Sequence, residues 1–216
     1  MVETHKPILL ELFSGSKTVS TRFEWAGWKS FSIDNNPKLS PSMCCDILEL
    51  KPGMLPGNVS FIWASPDCSK FSRAAAQYHW EKKTLKYRQY EYKPITNDAF
   101  ISLGLLQSTV DIINSFYPVP FIIENPIGRI HHFSPLKNLG HYRYAVNYAD
   151  FGFPYSKETY LFSNLFLPFS TKKVKSFLPG LRTVNSRYQR SMVPSLLIDF
   201  IIDYLHLNFN SKSFQL

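Results

Sequence analysis

The sequence contains few cysteines and no long apolar run. Its 216 residues include only Cys44, Cys45 and Cys68, and no two of them have CxxC spacing. Three cysteines are too few for a disulfide framework, so we expect a reducing, intracellular compartment and no metal site built from Cys and His. No apolar run approaches the roughly 20 residues of a membrane-spanning helix, and the first residues are not typical of a secretory signal. We therefore predict no membrane association.

Acidic residues are in the minority. The chain has 16 Asp and Glu against 24 Lys and Arg, a net charge of +8. Hydrophobic residues make up 44% and aromatic residues 16%, a composition typical of globular proteins. The excess of positive charge is explained either by solubility or by a polyanionic partner such as nucleic acid. The length favours a single domain over residues 1–216.

Short apolar segments alternate with helical patterns along the chain. The predicted strands cover residues 7–13, 28–34, 44–48, 61–64, 119–124, 144–148 and 159–162. The predicted helices cover residues 18–25, 99–116 and 193–207. This alternation predicts an α/β fold with a mostly parallel central sheet and helices on both faces. In such a fold, ligands bind beyond the carboxyl ends of the strands.

Polar residues and glycine follow the predicted strands. Gly15 follows the first strand, where a strand-to-helix turn lets the backbone approach an anionic ligand. Asp34 and Asp46 end the second and third strands, where an acid can bind the hydroxyls of a nucleoside. An ordinary turn and ordinary helix caps explain the same residues without a ligand.

Cys68 is the candidate nucleophile. It lies in the polar segment Ser65-Pro66-Asp67-Cys68-Ser69-Lys70-Phe71-Ser72, after the fourth strand. We expect a helix to begin after Cys68 and to favour its thiolate. Glu124, at the end of the next strand, is a candidate proton donor. A lone cysteine that is simply buried as a small apolar residue is the alternative.

Taken in order, these segments resemble a known family. Phe13-Ser14-Gly15, Asp34, Cys45-Asp46-Ile47, the Ser-Pro-Asp-Cys loop and Glu124-Asn125-Pro126 are similar to motifs of the cytosine-carbon-5 DNA methyltransferases, above all the short phage and viral members. The resemblance extends over residues 9–205. It implies a Rossmann-like methyltransferase fold, S-adenosylmethionine as cofactor, DNA as partner and a target base flipped out of its stack. It also implies a monomer inside the cell, in the host cytoplasm or nucleus if the protein is viral.

The resemblance assigns roles to individual residues. It implies cofactor contacts from Phe13, Gly15, Ser16, Lys17, Asp34, Asp46, Ile47 and Pro66. Asp34 is expected to hold the ribose, and Asp46 the adenine amino group, with Ile47 against the ring. Cys68 is expected to attack carbon 6 of cytosine while Glu124 protonates nitrogen 3. Substrate contacts are expected from Ser69, Ser72, Arg73, Asn125, Pro126 and Lys157.

Three departures from the family pattern stand near this site. Asp67 replaces the proline that most members have before the nucleophile, and its carboxylate is expected to raise the pKa of Cys68. Lys17 replaces the second glycine of the opening motif and is expected to pair with the cofactor carboxylate. The family's Gln-x-Arg-x-Arg motif, which the resemblance would use to brace the flipped base and the nucleophile loop, is absent. Lys157 is the residue expected to take over that role.

Two basic segments are candidate nucleic-acid surfaces. Residues 165–190 form a reduced basic segment in place of a target-recognition domain, so we expect short or relaxed sequence specificity. Residues 73–98 interleave cations with aromatic residues and are expected to form a mobile loop that closes over the target, or else a solvated helix. His131 and His132 are assigned to an ordinary loop. An RNA cytosine-5 methyltransferase and a catalytically weak nucleic-acid-binding protein on the same fold are the alternative functions.

Overall fold

The computed structural model describes residues 6–84, 90–169, 189 and 191–209. The strands in this part of the chain are β1 (Ile8–Leu12), β2 (Lys29–Asp34), β3 (Met43–Cys44), β4 (Val59–Ala64), β5 (Trp80–Thr84), β6 (Tyr90–Pro94), β7 (Phe121–Pro126), β8 (Tyr142–Asn147) and β9 (Glu158–Ser163). The α-helices are α1 (Thr18–Trp25), α2 (Ala76–His79), α3 (Asn97–Ser115), α4 (Ser134–Asn138) and α5 (Ser195–Asn208). Short 3-10 helices connect several of these elements.

Seven strands form the central sheet in the order β3-β2-β1-β4-β7-β9-β8. The first five are parallel to one another, and β9 pairs antiparallel with both of its neighbours, β7 and β8. The parallel strands β1, β4 and β7 lie side by side, so their carboxyl ends meet at one edge of the sheet. The segments after these three strands begin at Phe13, Ser65 and Ile127.

Helices cover both faces of the sheet. Successive residues of a strand point to opposite faces, and Leu9 and Leu10 accordingly belong to two separate apolar clusters. The cluster that contains Leu9 packs against α1 and α5, through residues such as Phe23 and Ile201. The cluster that contains Leu10 packs against α3 and α4. The predicted α/β fold, with a mostly parallel sheet and helices on both faces, is confirmed.

Two local predictions were wrong. The third predicted strand is reduced to Met43–Cys44, because the Asp46 side chain accepts a hydrogen bond from Leu48 N (2.9 Å) and starts a 3-10 helix instead. No helix begins directly after Cys68: the next one in the described chain is the four-residue α2, which begins at Ala76.

The described helices include none that is long and apolar enough to cross a membrane.

The single-domain organisation remains a prediction. Of the basic segment 165–190, the structure describes only residues 165–169 and 189, so its cations Lys172, Lys173, Lys175, Arg182, Arg187 and Arg190 lie outside the described residues.

Candidate active site

A cavity of about 690 Å³ opens at the carboxyl ends of β1, β4 and β7. Predicted site residues that line it are Phe13, Gly15, Ser16, Pro66, Cys68, Ser69, Glu124, Pro126 and Lys157. Further lining residues are Glu11, Ser14, Thr18, Val19, Ser65, Asp67, Ser191 and Val193. The tertiary structure thus brings the glycine turn, the candidate nucleophile and the candidate acid to one space.

The turn after β1 has an unusual backbone. Phe13, Gly15 and Lys17 all have positive φ, at 59°, 46° and 56°. A side chain in this region costs roughly 1–2 kcal/mol, a cost that glycine avoids. Lys17 immediately precedes α1 and makes no side-chain cap to the helix; its Nζ donates to Ser40 O (3.0 Å). Its predicted pairing with a cofactor carboxylate stays a prediction.

Asp34 holds the same turn in place. One oxygen of its carboxylate accepts from Gly15 N (2.9 Å) and the other accepts from Asn36 N (2.9 Å). The acid at the end of β2 therefore braces the glycine turn, and it lies outside the lining of the cavity. Its predicted bond to a ribose requires the remaining lone pairs of these oxygens.

Asp46 and Ile47 lie farther along the same edge. Asp46 is half-buried and caps the 3-10 helix that follows it. Ile47 packs in the apolar core and exposes only 3% of its surface, which leaves little of the side chain for contact with an adenine ring. Neither residue lines the cavity, and their cofactor roles remain predictions.

The loop that carries Cys68 is anchored on both sides. Asn125 donates from Nδ2 to Pro66 O (2.9 Å), and Arg129 N donates to Phe71 O (2.8 Å). The Phe71 side chain is 1% exposed and packs against Trp80 and Phe133. These contacts tie the loop to the end of β7, so the half-buried Cys68 and the Glu124 carboxyl share the cavity.

The Cys68 thiol is neutral in this environment. Burial, followed by the charges of Glu124 and Asp67, raises its pKa to about 11, against the opposing effect of Lys157. The expected thiolate stabilisation by a helix start is therefore wrong, because no helix starts there. The expected effect of Asp67 is present but is smaller than burial and Glu124. Asp67 is exposed, and its carboxylate accepts from Ser69 N (3.1 Å) and Ser69 Oγ.

Glu124 is buried and held by two donors from other elements. Its Oε1 accepts from the hydroxyl of Tyr148 (2.7 Å) and from Nζ of Lys157 (3.3 Å). Lys157 Nζ also lies 4.5 Å from the centre of the Tyr148 ring. Burial and the adjacent carboxylate raise the pKa of Tyr148 well above its ordinary value, so its hydroxyl remains a proton donor. The sequence pointed to Lys157 but not to Tyr148, because a tyrosine at the end of the strand predicted at 144–148 carries no chemical signal.

The remaining predicted substrate residues lie around the loop. Ser72 donates from Oγ to Ser69 O (3.4 Å) and accepts from Ala75 N, which stabilises the turn after Cys68. Arg73 is exposed and lies outside the cavity lining. Asn125 Oδ1 is buried and has no hydrogen-bond partner among the described residues. Their contacts with a substrate stay predictions.

The basic tract 73–98 is described at residues 73–84 and 90–98, where it contains the two hairpin strands β5 and β6 in place of the solvated helix. Its expected closure over a target remains a prediction, and residues 85–89 lie outside the described residues. β5 and β6 pair antiparallel, with Glu81 opposite Lys93 and Lys83 opposite Glu91. These four side chains share one face, so their charges offset each other. Trp80 is buried against Phe71 and Phe133 and serves the core, not a stacking surface.

No protein-family model matches the chain, and no curated protein matches it. Solved structures do. The methyltransferase EhMeth of Entamoeba histolytica is 13% identical, with a TM-score of 0.54 over 78% of this chain and 56% of that chain. A putative DNA modification methyltransferase encoded within a prophage (E. coli) is 17% identical, with a TM-score of 0.52 over 82% of this chain and 51% of that chain. The chain thus spans just over half the length of these proteins, and it has a methyltransferase fold.

Proposed function

We propose that this protein is an S-adenosylmethionine-dependent methyltransferase that modifies carbon 5 of cytosine in DNA. The observation that carries this proposal is the shared cavity of Cys68 and Glu124 beside the glycine turn after β1. The methyltransferase fold supports it, and so does the similarity of the chain to a putative DNA modification methyltransferase.

The cavity suits the proposed cofactor in size and in its donors. Its volume of about 690 Å³ lies within the roughly 300–1,000 Å³ of typical small-molecule sites. Ser14 Oγ is buried, lines the cavity and has no hydrogen-bond partner among the described residues. The positive φ of Gly15 brings the backbone close to the space without a side chain. Phe13, Gly15 and Ser16 would hold the methionine end of S-adenosylmethionine, which supplies an electrophilic methyl group when bound.

Cys68 provides the covalent step. Carbon 5 of cytosine is a weak nucleophile until a thiolate adds to carbon 6 and makes the ring enamine-like. As the sulfur bonds to carbon 6, the Glu124 carboxyl group gives a proton to nitrogen 3 and receives the proton that the neutral thiol loses, so the adduct builds no net charge. After carbon 5 has accepted the methyl group, a base removes the carbon-5 proton, the sulfur leaves as a thiolate, and nitrogen 3 releases its proton, which restores the neutral thiol. The ring then regains its double bond.

Glu124 governs the protons of this step. Its carboxyl group is the acid that serves nitrogen 3, and its negative charge is also a cause of the raised pKa of Cys68. When Glu124 binds a proton, that charge disappears and the thiol becomes more acidic. Tyr148 and Lys157 keep Oε1 fixed, which leaves Oε2 as the oxygen that we assign to the base.

Trapping with DNA that contains 5-fluorocytosine tests this proposal. Fluorine replaces the hydrogen that must leave, so the Cys68–carbon 6 bond cannot break after methyl transfer. We expect an adduct that survives denaturing electrophoresis, carries label from radioactive S-adenosylmethionine and maps to Cys68 by mass spectrometry. Cys68→Ser is the control and should give no adduct. Label in an RNA of the same sequence, but not in DNA, would replace DNA with RNA as the substrate, and transfer to neither would refute the proposal.

A further inference from the structure

A line of cations and rings adjoins the loop of Cys68. The Arg129 guanidinium carbon lies 5.5 Å from the centre of the Tyr92 ring, and its Nη1 donates to the Tyr92 hydroxyl (2.6 Å). Tyr92 lies 5.5 Å from His132, whose ring is 3.9 Å from that of His131. We call this set, with the residues that continue it, the basic strip: Tyr92, Arg129, His131, His132, Lys137, Arg143 and Tyr160.

The strip continues onto the edge of the central sheet. His131 lies 5.4 Å from the Tyr160 ring in β9. The Arg143 guanidinium carbon of the edge strand β8 lies 5.2 Å from the same ring. Arg143 and Lys137 are exposed, and Arg129 and the two histidines are half-buried. The strip therefore runs from the hairpin, through the loop after β7, to the outer edge of the sheet.

The charges that act most strongly on the two histidines of the strip are positive. Burial is the main cause that lowers the pKa of His131, to about 4, and His132, Arg143 and Arg129 lower it further. The pKa of His132 is lowered by burial and then by Lys137, Arg129, Arg143 and Lys82. No carboxylate is among these causes in the described part of the chain. Acids of the hairpin lie on the face of Glu81 and Glu91, opposite Lys93 and Lys83.

Such an arrangement suits an external polyanion. Like charges held close together destabilise a fold unless a counter-charge binds. The rings of Tyr92 and Tyr160 lie against the two guanidinium groups by cation–π contact, which restricts their motion before any partner binds. Cations that flank aromatic rings are also typical of nucleic-acid surfaces.

The position of the strip links it to the catalytic loop. Arg129 N donates to Phe71 O, three residues beyond Cys68. Gly128 packs so closely on the same carbonyl that a β-carbon there would lie 2.6 Å from the oxygen. Arg129 is thus fixed to the loop by its backbone, while its side chain turns toward Tyr92.

We propose that the basic strip binds the phosphodiester backbone of the nucleic-acid substrate next to the target base, with Arg129, Lys137 and Arg143 as phosphate ligands. The inference rests on the proposed function for the identity of the partner, but it concerns residues outside the cavity. It assigns a role to the surface formed by His131 and His132, for which the sequence alone predicts only an ordinary loop.

Salt-dependent binding tests this proposal with matched charge changes. The test variant is Lys137→Gln with Arg143→Gln; the control is Lys6→Gln with Lys29→Gln, two exposed cations at the amino ends of β1 and β2, whereas the cavity opens at the carboxyl ends of the strands. Both variants remove two positive charges. The probe is a fluorescein-labelled 20-base-pair DNA duplex, titrated at several NaCl concentrations by fluorescence anisotropy, with a single-stranded RNA of the same sequence as a second arm.

We expect the test variant to weaken duplex binding about tenfold or more at 0.1 M salt and to reduce the slope of log K against log salt by about two, since each phosphate contact contributes about 0.9. The control should change both quantities much less, and thermal unfolding should show both variants folded. Equal affinities and slopes for test and control would overturn the proposal. A slope change with RNA alone would support the phosphodiester site and assign it to RNA.

The experiments distinguish an error in the proposed role of the basic strip from an error in the proposed function. Binding requires neither Cys68 nor the cofactor, whereas methyl transfer requires both. Weaker binding by the test variant, with no methyl transfer by the unmodified protein, would support the strip and refute the proposed enzyme. Methyl transfer by a protein whose binding does not depend on the strip would do the reverse.

Discussion

Gly128 and Phe71 are in direct backbone contact. A β-carbon built on Gly128 would lie 2.6 Å from Phe71 O and 3.3 Å from its carbonyl carbon. The φ of Gly128 is not in the left-handed region, so close approach explains the glycine here. The contact sets the distance between the loop of Cys68 and the segment after Glu124.

Gly128→Ala is expected to push the two segments apart. Overpacking against backbone costs roughly 1–3 kcal/mol, so the free energy of unfolding in urea should fall by about that amount. Gly57→Ala is the matched control, because nothing lies within 4 Å of its β-carbon position. Equal stabilities of the two variants would show that the segments separate without cost.

Tyr148→Phe is expected to slow methyl transfer with little change in cofactor affinity. The variant removes one hydrogen bond to Glu124, and a bond to a charged group contributes roughly 1.5–3 kcal/mol. We expect kcat to fall about tenfold or more and the pH profile to shift. Tyr144→Phe is the control: it removes a hydroxyl that is bonded only to backbone atoms, and it should lower stability but leave kcat unchanged. An equal loss of kcat in both variants would contradict the role of Tyr148.

The alkylation rate of Cys68 is expected to keep rising at high pH. Its pKa of about 11 means that the thiolate fraction should increase about tenfold per pH unit from pH 7 to 10, whereas a cysteine in an unstructured peptide, with a pKa of about 8.5, levels off. Peptide mass spectrometry after iodoacetamide treatment measures both rates. Glu124→Gln should speed alkylation at pH 9, because it removes a negative charge that raises the pKa. A rate that levels off with the peptide would contradict this environment.

Lys17→Gly and Lys17→Ala are expected to separate strain from charge. Lys17 has φ 56°, which costs a side chain roughly 1–2 kcal/mol, and the greater freedom of glycine in the unfolded chain offsets roughly 0.4–1 kcal/mol of this. Lys17→Gly should therefore raise the free energy of unfolding by roughly 0.5–1 kcal/mol, while Lys17→Ala should not. If Lys17 binds the cofactor carboxylate, both variants should weaken S-adenosylmethionine binding in calorimetry; unchanged affinity in both would exclude that role.

Glu11→Gln is expected to change the pH dependence of stability. Burial raises the pKa of Glu11 from 4.5 to about 7, against hydrogen bonds from Ser20. The folded state therefore binds a proton more tightly than the unfolded state, and this contribution is complete below pH 4.5 and is lost as the pH rises through 7. Relative to the unmodified protein, the free energy of unfolding of the variant should rise by up to about 3 kcal/mol between pH 4.5 and pH 8. Urea unfolding at both pH values measures it, with the exposed Glu49→Gln as control; an equal difference at both pH values would contradict the shift.

Much of the fold could be predicted because its signals are local. The helix expected at 18–25 is α1, and the helix expected at 99–116 is α3, whose start is set by Thr96 accepting from Ala99 N. The segment 44–48 could not be assigned correctly, since the capping bond of Asp46 competes with strand pairing over only five residues. The strands β5 (Trp80–Thr84) and β6 (Tyr90–Pro94) were missed because their alternation of charges is the same as that of a solvated surface.

The chain by itself determined which chemical groups follow which strands, because hydrophobic periodicity and turn residues act over a few positions. Gly15, Cys68 and Glu124 were selected in this way. Only the tertiary structure decided what surrounds them: Tyr148 reaches Glu124 across 24 residues of chain, and the pKa of Cys68 depends on burial and on charges from two other segments. Desolvation and contacts between distant segments exist only once the chain has folded, and for that reason no local pattern encodes them.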